Sequence, residues 1–132
     1  MMALGYLAAL VAGMPLWIVM TADQDELDLQ AAGTSPFRPQ DLQTAAALVA
    51  AHDANVVKAR ASLAATTDEH LMKPWRFLVG GKLISEPPRY EVLSTSVLSH
   101  LAHHRGQLTV YLRLTGQPVP ALYGPSVDEG GF

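Results

Sequence analysis

Cysteine is absent from the 132 residues. That removes disulfides, thiolate-held metals, iron–sulfur clusters and cysteine nucleophiles together. Charge is scarce: Asp, Glu, Lys and Arg make up 16% of the chain, the net charge is −3, and the 9 Lys and Arg form no polybasic run. Nucleic-acid surfaces need a basic patch or stripe, so no nucleic-acid partner is expected. At 49% hydrophobic, the chain is too apolar for disorder. In the periodic stretches Val, Ile and Thr are few beside Ala and Leu, which favours helices over sheets. The length suits one domain over residues 1–132. Its end, 117–132, carries Pro118, Pro120 and Pro125 and reads as an irregular tail.

Positive charge is also missing from the start of the chain, where the first Lys or Arg is Arg38. The run Leu4 to Met20 has no charge at all. A membrane span wants about 20 apolar residues, and a secretory signal wants a positive leading segment. Gly5, Gly13 and Pro15 interrupt the run. The expectation is a helix over 3–20 that is apolar nearly all round, buried on most sides, and broken or kinked at Pro15. A cytoplasmic protein without membrane contact is expected.

Asp23, Asp25, Glu26 and Asp28 follow. They lack the glycine turn and terminal Glu of a calcium loop, so Thr21 to Gln40 reads as a solvated connection. Pro39 suits a first helical position and Asp41 a first turn, which predicts a helix over 39–65. Its seam is Leu42, Ala45, Val49, His52, Val56, Ala59 and Leu63, at the alternating three- and four-residue spacing of one packed face. Between 66 and 88 the chain is irregular. Gly80-Gly81 marks a turn between 77–79 and 82–84, expected to form a packed loop or small ribbon and no sheet. A last helix is expected over 89–115, stopped by Gly116. The result is an all-α bundle with Leu10, Val49, Val56, Val97 and Leu108 buried.

The last helix carries His100, His103, His104 and Gln107. His100 and His104 stand four apart and share a face, so both imidazoles can reach one metal ion from one side. A usable transition-metal site needs at least a third ligand. A solvated or hydrogen-bonded histidine turn has the same spacing. Residue 101 is Leu, so the glutamate base of HExxH zinc proteases is missing. Leu93 and Val97 before the pair, and Leu108 and Tyr111 after it, place it in an apolar stripe, as in a site between bundle helices.

The stretch from Ser99 to Arg113, with His100-Leu101-Ala102-His103-His104 at its head, resembles the last-helix signature of the DinB family. Pro118-Val119-Pro120-Ala121-Leu122-Tyr123-Gly124-Pro125-Ser126, with Asp128-Glu129, is similar to the family's C-terminal tail. Glu69-His70-Leu71-Met72-Lys73-Pro74-Trp75 and Gly80-Gly81 look like its central loop. Leu4-Gly5-Tyr6-Leu7-Ala8 and Gly13-Met14-Pro15-Leu16-Trp17 resemble its second helix.

This resemblance implies an up-down four-helix bundle, here shortened by the family's first helix, around a divalent metal held by three histidines. Two of these match His100 and His104. The third falls in Leu7-Ala8-Ala9-Leu10-Val11-Ala12, at Leu10, which cannot bind a metal. His52, on the inward seam, is the first candidate to replace it; Asp128 and Glu129 are others. His103 is expected to turn towards loop or solvent, and His70 to pack or cap in the loop. Gln107 would orient a ligand or bond to the loop, Gly106 would permit close helix packing, and Arg105 would pair with a tail carboxylate. Zn²⁺ or Ni²⁺ suits imidazole better than Mg²⁺ or Ca²⁺, held weakly if at all. The implied activity is metal-dependent, in the manner of relatives that transfer a low-molecular-weight thiol after the metal generates a thiolate. The competing reading is a non-enzymatic helical interaction protein that has lost the metal. An apolar groove left by a missing helix favours a homodimer.

Overall fold

The computed structural model describes residues 3–31 and 44–129. Helix α1 (Leu4–Gly13) runs into α2 (Pro15–Asp23). Pro15 has no N–H to return to the preceding turn, so the helical ladder breaks at Met14 and resumes with Trp17 N–H on Met14 C=O, 2.9 Å. After strand β1 (Glu26–Asp28) come helix α3 (Ala45–Ala65), the short α4 (Asp68–Leu71) and strands β2 (Arg76–Val79) and β3 (Lys82–Ser85). The last long helix is composite: α5 (Arg89–Glu91), a π-helical segment (Val92–Ser99) and α6 (His100–Leu114).

The α1–α2 rod is the centre of the bundle. It packs on α3 along one side, and on α6 and the π-helical segment along another. Asn55 Nδ2 donates to Ala12 C=O at 2.9 Å, and Ser62 Oγ donates to Asp23 Oδ2 at 2.9 Å. These pairs advance together along both helices, so α3 runs parallel to the rod. Trp17 faces His100, while Thr21 faces Arg89, so the last helix runs antiparallel to it. The long connection between α2 and α3 makes the parallel pairing possible. The mostly helical bundle is thus as expected, with one crossover in its order.

Burial departs from expectation at several places. Val97 is in the core at 2% exposure, but Val49 is 59% exposed, and Leu10, Val56 and Leu108 are half-buried. The reason in α3 is its choice of face. Leu48, Ala51, Asn55, Ala59 and Ser62 turn to the rod, where small residues and two side-chain hydrogen bonds allow close approach; Val49 and Leu63 are left at the flank. Helix α3 starts at Ala45, with Thr44 capping through a bond from Ala47 N–H; the expected start at Pro39 and the seam residue Leu42 lie outside the described residues. The rod itself is less buried than expected. Leu4 and Tyr6 are 42% and 48% exposed. Over Leu4–Asp23 the rod is long and apolar enough to cross a membrane, and about 33% of that window is buried.

Residues 26–28 and 76–85 form a three-stranded sheet, where a ribbon at most was expected. β1 pairs parallel with β2, Leu27 opposite Phe77, and β2 pairs antiparallel with β3, Leu78 opposite Leu83. The acidic segment is recruited because its carboxylates find partners. Asp28 accepts from the amides of Gly80 and Gly81 at 2.8 and 2.7 Å, and from Gln30 N–H at 3.0 Å. These bonds hold its carboxyl below the usual value, with Gln30 the largest cause. Both glycines have positive φ, 58° and 77°, which side chains seldom adopt. Glu26 pairs with Arg76 at 3.2 Å, so only in part is this the solvated connection that composition suggests.

Helix α6 ends at Gly116, φ 70°, with Gln117 N–H on Leu112 C=O at 2.9 Å, the αL stop that was expected. The tail is folded back by its acids. Asp128 pairs with Arg113 at 2.7 Å and accepts from Val119 N–H at 3.0 Å, while Glu129 accepts from Ala121 N–H at 2.9 Å. Arg105, expected to meet a tail carboxylate, instead lies over the Tyr123 ring. Arg113, through its hydrogen bond to Asp128, is the largest cause holding that carboxyl below 3.8. The folded pKa is depressed, so the tail contact is present above 3.8 and is lost as pH falls through the lower, folded value. The Val119 amide resonance should therefore titrate with its midpoint below 3.8. A midpoint at or above that value would mean that the tail is not held by this carboxylate.

Candidate functional site

The π-helical segment sets the stage for the histidines. Its hydroxyls bond back to the main chain: Thr95 Oγ1 to Glu91 C=O at 2.6 Å, Ser94 Oγ to the same carbonyl at 3.1 Å, and Ser99 Oγ to Ser94 C=O at 2.9 Å. Such bonds compete with the regular ladder and bend helices. The wider turn rotates α6 relative to a continuous α-helix, and π-helical turns occur often at functional sites. The run Ser94-Thr95-Ser96 and Ser99 is the sequence signal that could have announced it.

His100 and His104 are brought together on this helix. Their ring centroids are 4.5 Å apart, and His100 lies 5.5 Å from the Trp17 ring on the rod. His104 is buried, and its Nδ1 meets Gln107 Oε1 at 2.7 Å. With a carbonyl oxygen facing it, Nδ1 carries the proton and donates, which leaves Nε2 with its lone pair. Gln107 thus orients the His104 imidazole, the kind of support that can fix a ligating ring. Burial is the largest cause pulling the His100 pKa below its usual value; the neighbouring His104 adds to this, and a bond to the Ser96 carbonyl opposes it.

His103 is exposed, with its ring 5.1 Å from that of His104 and 6.5 Å from that of His100. His52 sits on α3, where its Nδ1 is 3.4 Å from Asp53 Oδ1. His70 closes the loop onto the rod, Nε2 to Ala22 C=O at 2.8 Å. Asp128 and Glu129 are engaged with the tail, as described above. Gly106 is exposed with open space where a Cβ would stand, so close packing does not explain it. Leu10 stands two turns before Trp17 on nearly the same side of the rod. Among the described residues no group of three or more His, Cys, Asp or Glu could hold a metal ion. The donor set is two imidazoles, which falls short of a three-histidine centre.

Sequence reasoning missed Arg89. It is 1% exposed and links the elements around the site. Its Nε donates to Thr21 C=O at 3.1 Å, Nη1 to Pro74 C=O at 2.8 Å, and Nη2 to Gln24 C=O at 3.2 Å and to the Asp25 carboxylate. Its place after Pro87-Pro88 at a helix start carries no signal that it would be buried.

A helical bundle with paired imidazoles between the last helix and a central rod is the architecture of a small helical protein built around an intrahelical HxxxH. The chain belongs to the DinB family, whose family model matches residues 6–130. It is also 48% identical over 33 residues to the uncharacterized protein YrdA of Bacillus subtilis, a stretch of 25% of this chain and 20% of that protein. The match therefore spans about a fifth of that relative's length. No solved structure matches the chain.

Proposed function

We propose that this DinB protein keeps a two-histidine remnant of a metal centre, at His100 and His104, that takes Zn²⁺ or Ni²⁺ only weakly. The observation that carries the reading is the pair itself: two imidazoles 4.5 Å apart, one of them buried and oriented by Gln107, with no third donor grouped with them among the described residues. Imidazole suits these two ions, but a working site needs three protein ligands and an open position. Transfer of a low-molecular-weight thiol would need a metal held firmly enough to generate the thiolate, so two imidazoles support a binding role ahead of a catalytic one. The lack of a third donor is also what favours the second reading, a non-enzymatic bundle. The exposed Leu4 and Tyr6 on α1 support self-association as a homodimer.

Calorimetric titration with Zn²⁺ and Ni²⁺ at pH 7.5 tests this. Weak heat should be seen with the unmodified chain and none with His104→Ala. Tight stoichiometric binding would overturn the remnant reading, and would point to His52 or another group as a third ligand. Equal heats from both forms would show that the pair is not the site.

A further inference from the structure

The sheet has an open edge. Its order is β1-β2-β3, so β3 is paired on the β2 side alone. Its residues Lys82, Leu83, Ile84 and Ser85 are all exposed, and so is Glu86 beyond them. Leu83 and Ile84 are 46% and 54% exposed, two apolar residues in succession on an unpaired strand. An unpaired strand edge is a template for another strand. The hairpin that presents this one is fixed, because Asp28 accepts from both turn amides, Gly80 and Gly81. The strand already has the shape that pairing needs, which lowers the cost of association.

The charges of the edge select its partner. Lys82 and Glu86 bracket the apolar pair, and neither meets an opposite charge among the described residues. A lysine on an edge strand discourages pairing with strands in general. It does not discourage a strand that sets a carboxylate opposite it. Turned end for end, the segment 82–86 is such a strand. Antiparallel about Ile84, it places Lys82 opposite the partner's Glu86 and Glu86 opposite the partner's Lys82. Leu83 then meets the partner's Ser85, and Ile84 meets the partner's Ile84 at the axis. Opposite charges facing each other across strands are favourable, and like charges are not. An in-register parallel pairing would set lysine against lysine, so the charges fix the direction as well.

We propose that β3 pairs antiparallel with β3 of a second copy of this chain, across a two-fold axis at Ile84, joining two three-stranded sheets into one of six strands. The contact uses the same edge of both copies, so it closes at a dimer. β3 is short, and its register with β2 shifts between Phe77 and Leu78. Both features limit the ladder, so the dimer is weak and forms as concentration rises. This pairing rests on the self-association proposed above, but sets it at the sheet edge and not at Leu4 and Tyr6 on α1. It needs no metal.

The chain has no cysteine, so one introduced thiol reports one position. Directly opposed residues of an antiparallel pair stand about 4.5–5.5 Å apart at Cα, within the span of a disulfide. Met72 is an exposed site outside the sheet, so Met72→Cys sets the rate of random collision. Under mild oxidation, Ile84→Cys should form a disulfide-linked dimer at least about tenfold faster, because paired strands hold the two thiols at a high effective concentration. Leu4→Cys gives the corresponding rate for α1. In the Ile84→Cys chain, Lys82→Glu should slow the linking by at least about fivefold, since it sets two like-charge pairs in the dimer; adding Glu86→Lys should restore it. In the unmodified chain, the amide resonances of 82–86 should move with protein concentration. Linking at Ile84 no faster than at Met72, failure of the double exchange to restore it, or resonances of 82–86 that stay fixed would each overturn the pairing. Fast linking at Leu4 with only background at Ile84 would keep the homodimer and remove its assignment to β3. Background linking at all three sites would remove both. Should Ile84→Cys fail to fold, the resonances of the unmodified chain and of Lys82→Glu, with and without Glu86→Lys, decide.

Discussion

Arg89→Met should lower the unfolding free energy by roughly 1–3 kcal/mol, the loss typical when a buried polar group is left without its partner. The side chain would keep an unbranched apolar stem and lose every donor. The Thr21, Pro74 and Gln24 carbonyls would then lack the partner they have now. Thr21 is 2% exposed, so water does not readily replace the guanidinium there, and each buried group left unmade costs about 1–3 kcal/mol. The ion pair is the smaller part. Asp25 is 91% exposed, and exposed partners of this kind contribute about 0–1 kcal/mol. Asp25→Asn should therefore have a small effect and Arg89→Met a large one. Arg89→Lys should resemble Met more than Arg, because an ammonium cannot reproduce the planar fork that serves the end of α2 and the loop at Pro74 at once. Urea denaturation of the three variants checks this. Equal losses for Asp25→Asn and Arg89→Met would show that the ion pair, and not the carbonyl network, holds these segments.

The legible parts of this protein were those written in local pattern. The uncharged run from Leu4, the Ala-rich stretch to Ala65, Gly116 and the HxxxH spacing each specify a helix, a stop or a shared face through interactions within a few residues. What failed to show was decided by partners far away in sequence. Glu26 to Asp28 becomes a strand because Asp28 caps a turn 52 residues later. The packed face of α3 centres on Asn55 and Ser62, since their hydrogen bonds to the rod outrank the apolar fit of Val49. His70 packs the loop onto the rod as its position suggested, and Gln107 reaches His104 one turn away, because each partner is set by helix or loop geometry. The role of Arg89 was invisible, as it arises only where rod, loop and last helix meet.

Leu10→His should tighten Zn²⁺ or Ni²⁺ binding by at least about tenfold. The loss of mere outer support for a metal ligand typically costs 10–100-fold in affinity, and a missing donor should cost no less. The rod already brings one face to the pair: Trp17 lies 5.5 Å from His100, and Leu10 is two helical turns earlier on nearly the same side. Its half-buried position leaves room for an imidazole of similar volume without a large cavity or clash. His104 is pre-oriented by Gln107, so the new ligand would meet a pair of which one member is already fixed. Metal binding requires neutral imidazoles and so weakens on acidification; the gain should therefore be measured at pH 7.5 and shrink as pH falls. Adding His104→Ala to Leu10→His should return affinity to the level of the unmodified chain or below, which separates a true three-imidazole site from a surface histidine. A Leu10→His chain that folds but binds no better would mean that the rod and the last helix do not hold their imidazoles around one point. The remnant would then lack the geometry of a metal centre as well as its third donor.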